Sequence, residues 1–185
     1  MRKSTSLCFV TSMLVLYGTM ALVSVSRAAA DGKPNLILIL ADDLGWADTT
    51  LYGKTSLYET PNIERLAARG MTFTSAYAAA PICSPTRASI VSGQNPARLG
   101  FTTPAGHVPE VRFDPIVNKS GPPHHKSTNV RSATRVNPVL PTLGQLLKGA
   151  GYATAHFGKW HLGLEPHSPL ESGFDVDIPH WHGPG

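Results

Sequence analysis

Asn35-Leu36-Ile37-Leu38-Ile39-Leu40-Ala41 is an unbroken apolar run, and its lack of polar alternation predicts a strand covered on both faces of a sheet. Thr60-Pro61 then opens a helix with a hydroxyl cap and a proline in the first turn. Ile63, Leu66 and Ala67 form its apolar face and Gly70 closes it. Met71, Phe73, Ser75 and Tyr77 alternate as a second strand. Ser84-Pro85 fits an N-cap followed by proline at the first helical position, with Gly93 as the stop, so Cys83 is expected at a helix entrance. Pro104 to Pro141 has no sustained period and reads as a long irregular loop containing at most short elements, of a length that loops usually reach for functional reasons. Thr142 to Lys148 presents Leu143, Leu146 and Leu147 on one face of another capped helix, and Tyr152 to Phe157 follows as a short strand. This alternation predicts an α/β fold with a mostly parallel central sheet flanked by helices, whose ligands bind beyond the carboxyl ends of the strands.

Composition adds to this picture mainly at the amino end. Arg2 and Lys3, an apolar run from Leu7 to Val25 and Ala28-Ala29-Ala30 have the form of a signal peptide over residues 1–30, which leaves residues 31–185 as the globular part. The run approaches the ~17–25 residues that span a bilayer, so an uncleaved anchor is the alternative. The small-residue cleavage site favours removal, no stable membrane anchor, and export to the periplasm or the extracellular space. Three of the sixteen basic residues, Arg2, Lys3 and Arg27, belong to the leader. Without them the formal charge of +4 nearly vanishes, and with it any reason to expect nucleic-acid binding. Of the two cysteines Cys8 lies in the leader, so Cys83 has no internal disulfide partner in a compartment where thiols normally pair. It is incidental, buried and inert, or chemically used.

Three stretches carry candidate chemistry. Asp42 and Asp43 follow the first predicted strand, where two adjacent carboxylates repel unless a hard cation such as Ca²⁺ or Mg²⁺ neutralises them; a solvated acidic turn would read the same way. Arg87 stands four residues after Cys83, about one helical turn, so both can face an anion held at the helix start. That spacing is too short for the Cys-x5-Arg loop of thiol phosphatases. Gly158-Lys159-Trp160-His161-Leu162-Gly163 follows another predicted strand, which brings a point charge and a proton-transfer group to the same sheet edge. Each stretch alone is equally compatible with an ordinary loop or core segment.

Together, and in this order, Asp42-Asp43, Cys83-x-Pro85-x-Arg87 and Gly158-Lys159-Trp160-His161 resemble the type I sulfatases of the alkaline-phosphatase-like superfamily, from about Lys33 onward. One departure is Thr86, where Ser or Ala is commoner; its β-branch is sterically tolerable early in a helix. The resemblance implies that a maturation enzyme oxidises Cys83 to Cα-formylglycine, whose hydrate attacks the sulfur of a sulfate ester and then expels sulfate. It further implies that Asp42, Asp43 and residue 83 hold Ca²⁺, or Mg²⁺. Arg87 would steady the modified residue, Lys159 would bridge it to the sulfate, and His161 would assist proton transfer. The implied substrate is a sulfated small molecule or carbohydrate.

Family members are longer and carry further metal ligands, a second Lys and a leaving-group His, none of which can be assigned here. The chain is therefore expected to be an N-terminal part of the catalytic domain, with an incomplete sheet and little activity alone. The pairs His124-His125 and His180/His182 lack partners at zinc spacing. Arg112, Lys119, Lys126, Arg131 and Arg135 are spread through the long loop without interleaved aromatics and are expected to be solvated, at most attracting an anionic substrate. Two other readings are a metal-dependent phosphoester or phosphonoester hydrolase of the same superfamily, against which Cys83 counts, and an inactive remnant that binds sulfated ligands.

Overall fold

The computed structural model describes residues 32–118, 123–124, 126–128 and 130–180. The expected leader with Cys8 lies outside the described residues, as do Lys119, His125 and His182. The chain divides into two units, Met1–Leu40 and Ala41–Gly185. In the first, residues 33–40 carry no helix or strand, and Leu36 to Leu40 are exposed, Ile37 at 86%. The strand expected over Asn35 to Ala41 is thus not formed here. An apolar run reports the burial that a strand needs, whereas its ladder depends on neighbours separated from it by a dozen residues or more.

Among the described residues, the second unit contains four short α-helices: α1 (Pro61–Ala67), α2 (Cys83–Ser92), α3 (Pro96–Leu99) and α4 (Leu143–Gly149). Thr60 precedes α1 as expected, but its hydroxyl bonds the Thr50 amide at 2.9 Å and the Thr50 hydroxyl at 2.7 Å instead of capping the helix. Met71 to Tyr77 forms no strand, and Met71, Phe73 and Tyr77 are exposed. α2 begins two residues earlier than expected, at Cys83 itself, after the extended Ile82. Ser84 is therefore inside the helix and completely buried rather than capping it, and Gly93 ends the helix at φ 68°, a conformation that suits glycine. In α4, Thr142 accepts the Gln145 amide at 3.2 Å while Gln145 Oε1 accepts the Thr142 amide at 3.1 Å, a reciprocal capping box.

Four strands are short. β1 (Ile116–Val117) and β2 (Val130–Arg131) make a small antiparallel pair within the long loop, and β3 (Ala155–Phe157) pairs in parallel with β4 (Val176–Ile178). Among the described residues, the expected parallel central sheet is represented by this β3–β4 pair alone. β3 is shorter than the predicted Tyr152 to Phe157 strand because pairing with β4 begins only at Ala155. The core gathers Ala88 and Val91 of α2, Leu99 of α3, Phe101, Ala133 and Leu162, with Val136, Leu140 and Trp160 packed on it. Trp160 and Leu162 thereby fix the segment that carries Lys159 and His161 against the same helix that carries Cys83. Among the described residues, no helix is long and apolar enough to cross a membrane.

Candidate active site

Packing of α2 against the Lys159–Gly163 segment assembles the site. Cys83, the first residue of α2, is half-buried, and Lys159 Nζ lies 3.5 Å from its Sγ. Asp42 and Asp43 approach from the loop after residue 40, where Asp43 adopts φ 55°, a left-handed conformation that Asp tolerates better than most residues. One carboxylate oxygen of each, together with Cys83 Sγ, lies within 4.8 Å of the others. Two ligands each ~2.4 Å from one ion stand at most ~4.8 Å apart, so the cluster fits a single divalent cation. Among the described residues this is the one cluster of three or more His, Cys, Asp or Glu side chains that converges in this way.

Charge is balanced closely around Asp42. Its Oδ2 accepts Lys159 Nζ at 2.6 Å and its Oδ1 accepts Arg87 Nη2 at 3.1 Å. These two bonds hold its carboxyl below the usual carboxylate range, Lys159 first and Arg87 second, and the bond to Asp42 raises the Lys159 ammonium in turn. Arg87 also donates through Nη1 to the Lys159 carbonyl, tying α2 to the lysine's own backbone. The ionised pair is partly open to solvent, so its main effect is geometric: it holds the lysine above Cys83.

His161 reaches the site differently. Its backbone is left-handed, φ 56°, and its carbonyl accepts the Ser84 hydroxyl at 2.8 Å, while that hydroxyl accepts the Gly106 amide at 3.1 Å. Its ring Nε2 faces His107 Nδ1 at 3.1 Å, and its Nδ1 is buried without a hydrogen-bond partner among the described residues. Burial lowers the proton affinity of this imidazole, and the nearby Lys159, His107 and Arg87 add to the effect, which favours its neutral form.

The structure thus gathers Asp42, Asp43, Cys83, Arg87 and Lys159 at one place, with Asp42 bonded to Arg87 and Lys159, and joins His161 to them through Ser84 and the lysine segment. Ser84, His107 and Arg135 are partners that the sequence reading missed. Arg135, expected to be solvated, is 2% exposed, and its two Nη atoms donate to the carbonyls of Gly106 at 3.1 Å, Thr134 at 2.8 Å and Val108 at 3.1 Å. Arg112 is likewise packed against the protein, on the Ser132 carbonyl at 2.6 Å and Glu110 at 3.0 Å. An aperiodic loop gives no pattern from which a buried arginine can be told from an exposed one. His180 pairs with Asp177 at 3.0 Å and Glu165 at 3.2 Å.

The family described as Sulfatase matches residues 34–182. Over 149 residues the chain is 46% identical to N-acetylgalactosamine-6-sulfatase of Sus scrofa, an alignment covering 79% of this chain and 25% of that protein. It is 41% identical over 153 residues to steryl-sulfatase of Mus musculus, covering 79% and 22%. The crystal structure of Ps i-CgsB in complex with k-i-k-neocarrahexaose superposes with a TM-score of 0.59 at 34% identity, over 78% of this chain and 27% of that one. The chain spans about a quarter of the length of these relatives.

Proposed function

Because this chain belongs to the sulfatase family and has the α/β fold that the family shares, we propose that the protein hydrolyses sulfate esters of carbohydrates at the cluster around Cys83. The observation that carries this reading is the convergence on Cys83 of two carboxylates, within 4.8 Å, and an ammonium, at 3.5 Å. The carbohydrate substrate is supported by the similarity to N-acetylgalactosamine-6-sulfatase and to Ps i-CgsB, which binds k-i-k-neocarrahexaose. Residues 1–30 are read as an export leader.

The donor set bears on the chemistry of residue 83. Calcium is a hard ion that takes oxygen ligands, and a thiol is a soft donor, so two carboxylates beside a sulfur make a poor calcium site. Replacing the sulfur by an aldehyde oxygen removes the mismatch, which supports Cα-formylglycine at this position. When present, the divalent cation supplies positive charge to a sulfate oxygen and the hydrated aldehyde supplies the attacking hydroxyl. Asp42 and Asp43 would hold the ion, Lys159 would donate to oxygen at the reacting side chain, and Arg87 keeps both Asp42 and Lys159 in place. Neutral His161 is a proton acceptor. Ser84 and Pro85 are fully buried, so a maturation enzyme that reads Cys83-x-Pro85-x-Arg87 has to do so before α2 packs.

The test is mass spectrometry of the Cys83 peptide after co-expression with a formylglycine-generating enzyme, together with sulfate release from N-acetylgalactosamine 6-sulfate in the presence of Ca²⁺. Aldehyde at residue 83 and a loss of on the order of 10²-fold or more in rate for Lys159→Ala are expected, since a donor aimed at developing charge supplies about that much. An intact thiol in every copy defeats the reading.

A further inference from the structure

His107 lies in the irregular loop, 54 residues before His161 in the chain, yet it is fastened to the site from both sides. On one side the Gly106 amide donates to Ser84 Oγ and the Gly106 carbonyl accepts from Arg135. On the other, the Val108 amide donates to the Ala105 carbonyl at 3.1 Å and the Val108 carbonyl accepts from Arg135. Gly106 lies so close to the lysine–histidine segment that a Cβ there would stand 1.7 Å from the His161 carbonyl oxygen. The ring at position 107 is exposed, but the backbone beneath it is clamped.

Between the two facing nitrogens one must donate and the other accept. If His107 donated, a neutral His161 would carry its proton on Nδ1, which is buried and has no partner among the described residues. A buried N–H without an acceptor is costlier than an unmet lone pair and is rare in folded proteins. The proton therefore belongs on His161 Nε2, directed at His107 Nδ1. We propose that His107 is a positioning residue for the site: its Nδ1 accepts the Nε2–H of His161 and holds that ring in one orientation and one tautomer, with Nδ1 unprotonated. This deepens the sulfatase reading, because it rests on His161 as the proton-transfer group.

The experiment is long-range ¹H–¹⁵N NMR of the histidine rings in the ¹⁵N-labelled full chain at neutral pH, with His161→Gln used to assign the His161 signals. In the wild type, Nε2 of His161 is expected to show the protonated type of shift and Nδ1 the unprotonated type. In His107→Asn the amide oxygen stands near the place of the imidazole Nδ1 and accepts equally well, so the pattern is retained. In His107→Leu it is lost, and the separation between the two ¹⁵N signals shrinks as the tautomers mix. A wild-type proton on Nδ1, an unchanged pattern in His107→Leu, or loss of the pattern in a folded His107→Asn overturns the proposal. The wild-type spectrum decides even if the leucine variant fails to fold. The readout requires no turnover, so its failure is distinguishable from failure of the sulfatase reading itself.

Discussion

Gly106 touches neither Cys83 nor Asp42, and yet the arrangement tolerates no larger side chain there. A Cβ would meet the His161 carbonyl oxygen, carbon and the Leu162 amide nitrogen, all of them backbone atoms that cannot step aside. Gly106→Ala is therefore expected to destabilise the chain by on the order of 2 kcal/mol, the usual cost of overpacking, read as a lower midpoint in thermal or urea unfolding. The residues that carry charge at the site were legible in the sequence. Asp42, Asp43, Cys83, Arg87 and Lys159 sit in short motifs whose spacing limits their geometry. The residues that arrange them were not legible. Ser84 read as a helix cap because serine before proline is so often one, and its buried role became visible only with the packed helix. His107 and Arg135 sit in a stretch without periodicity, where a site residue and a solvated one look alike.

Elements built from local interactions were the ones that the sequence pattern anticipated. α4 follows from Thr142 and Gln145 three residues apart, and α2 from the glycine that ends it, because caps are satisfied within one turn. Strands failed where their partners were distant: Asn35 to Ala41 and Met71 to Tyr77 have the right alternation or apolar content, but a ladder is a property of two segments. The β3–β4 pair shows what a partner adds. Asp175, just ahead of β4, accepts the Thr154 amide and hydroxyl, each at 3.0 Å, and the Lys148 ammonium from the end of α4 at 2.6 Å. The lysine first, and the Thr154 donors after it, depress the Asp175 carboxyl from 3.8 to about 2. With the folded value below the unfolded one, the contribution is complete above pH 3.8 and fades as the pH falls towards 2. Asp175→Asn should accordingly be less stable than the wild type at pH 6, with the gap closing between pH 4 and 2, as followed by urea midpoints across that range.

At the scale of the whole molecule, the chain supplies three candidate ligand atoms to an ion that takes about six to eight. Affinity is expected to be in the millimolar range. At a Kd of ~1 mM, 10 mM Ca²⁺ would raise the unfolding free energy by about 1.4 kcal/mol, a shift of a few degrees in Tm. Asp43→Asn should abolish that shift, and Asp43 is the better choice because Asp42 also holds Arg87 and Lys159. An unchanged shift in that variant would place the ion elsewhere. The double tether on Asp42 also sets an order of events. Two acids and two bases meet at Cys83, so their formal charges cancel and an incoming monoanionic ester finds no net field to attract it. On the proposed function, a divalent ion that joined them would make the pocket cationic and ester capture conditional on prior metal loading: a chain stripped by chelator should be indifferent to sulfate, and the two ligands should bind in sequence rather than at random.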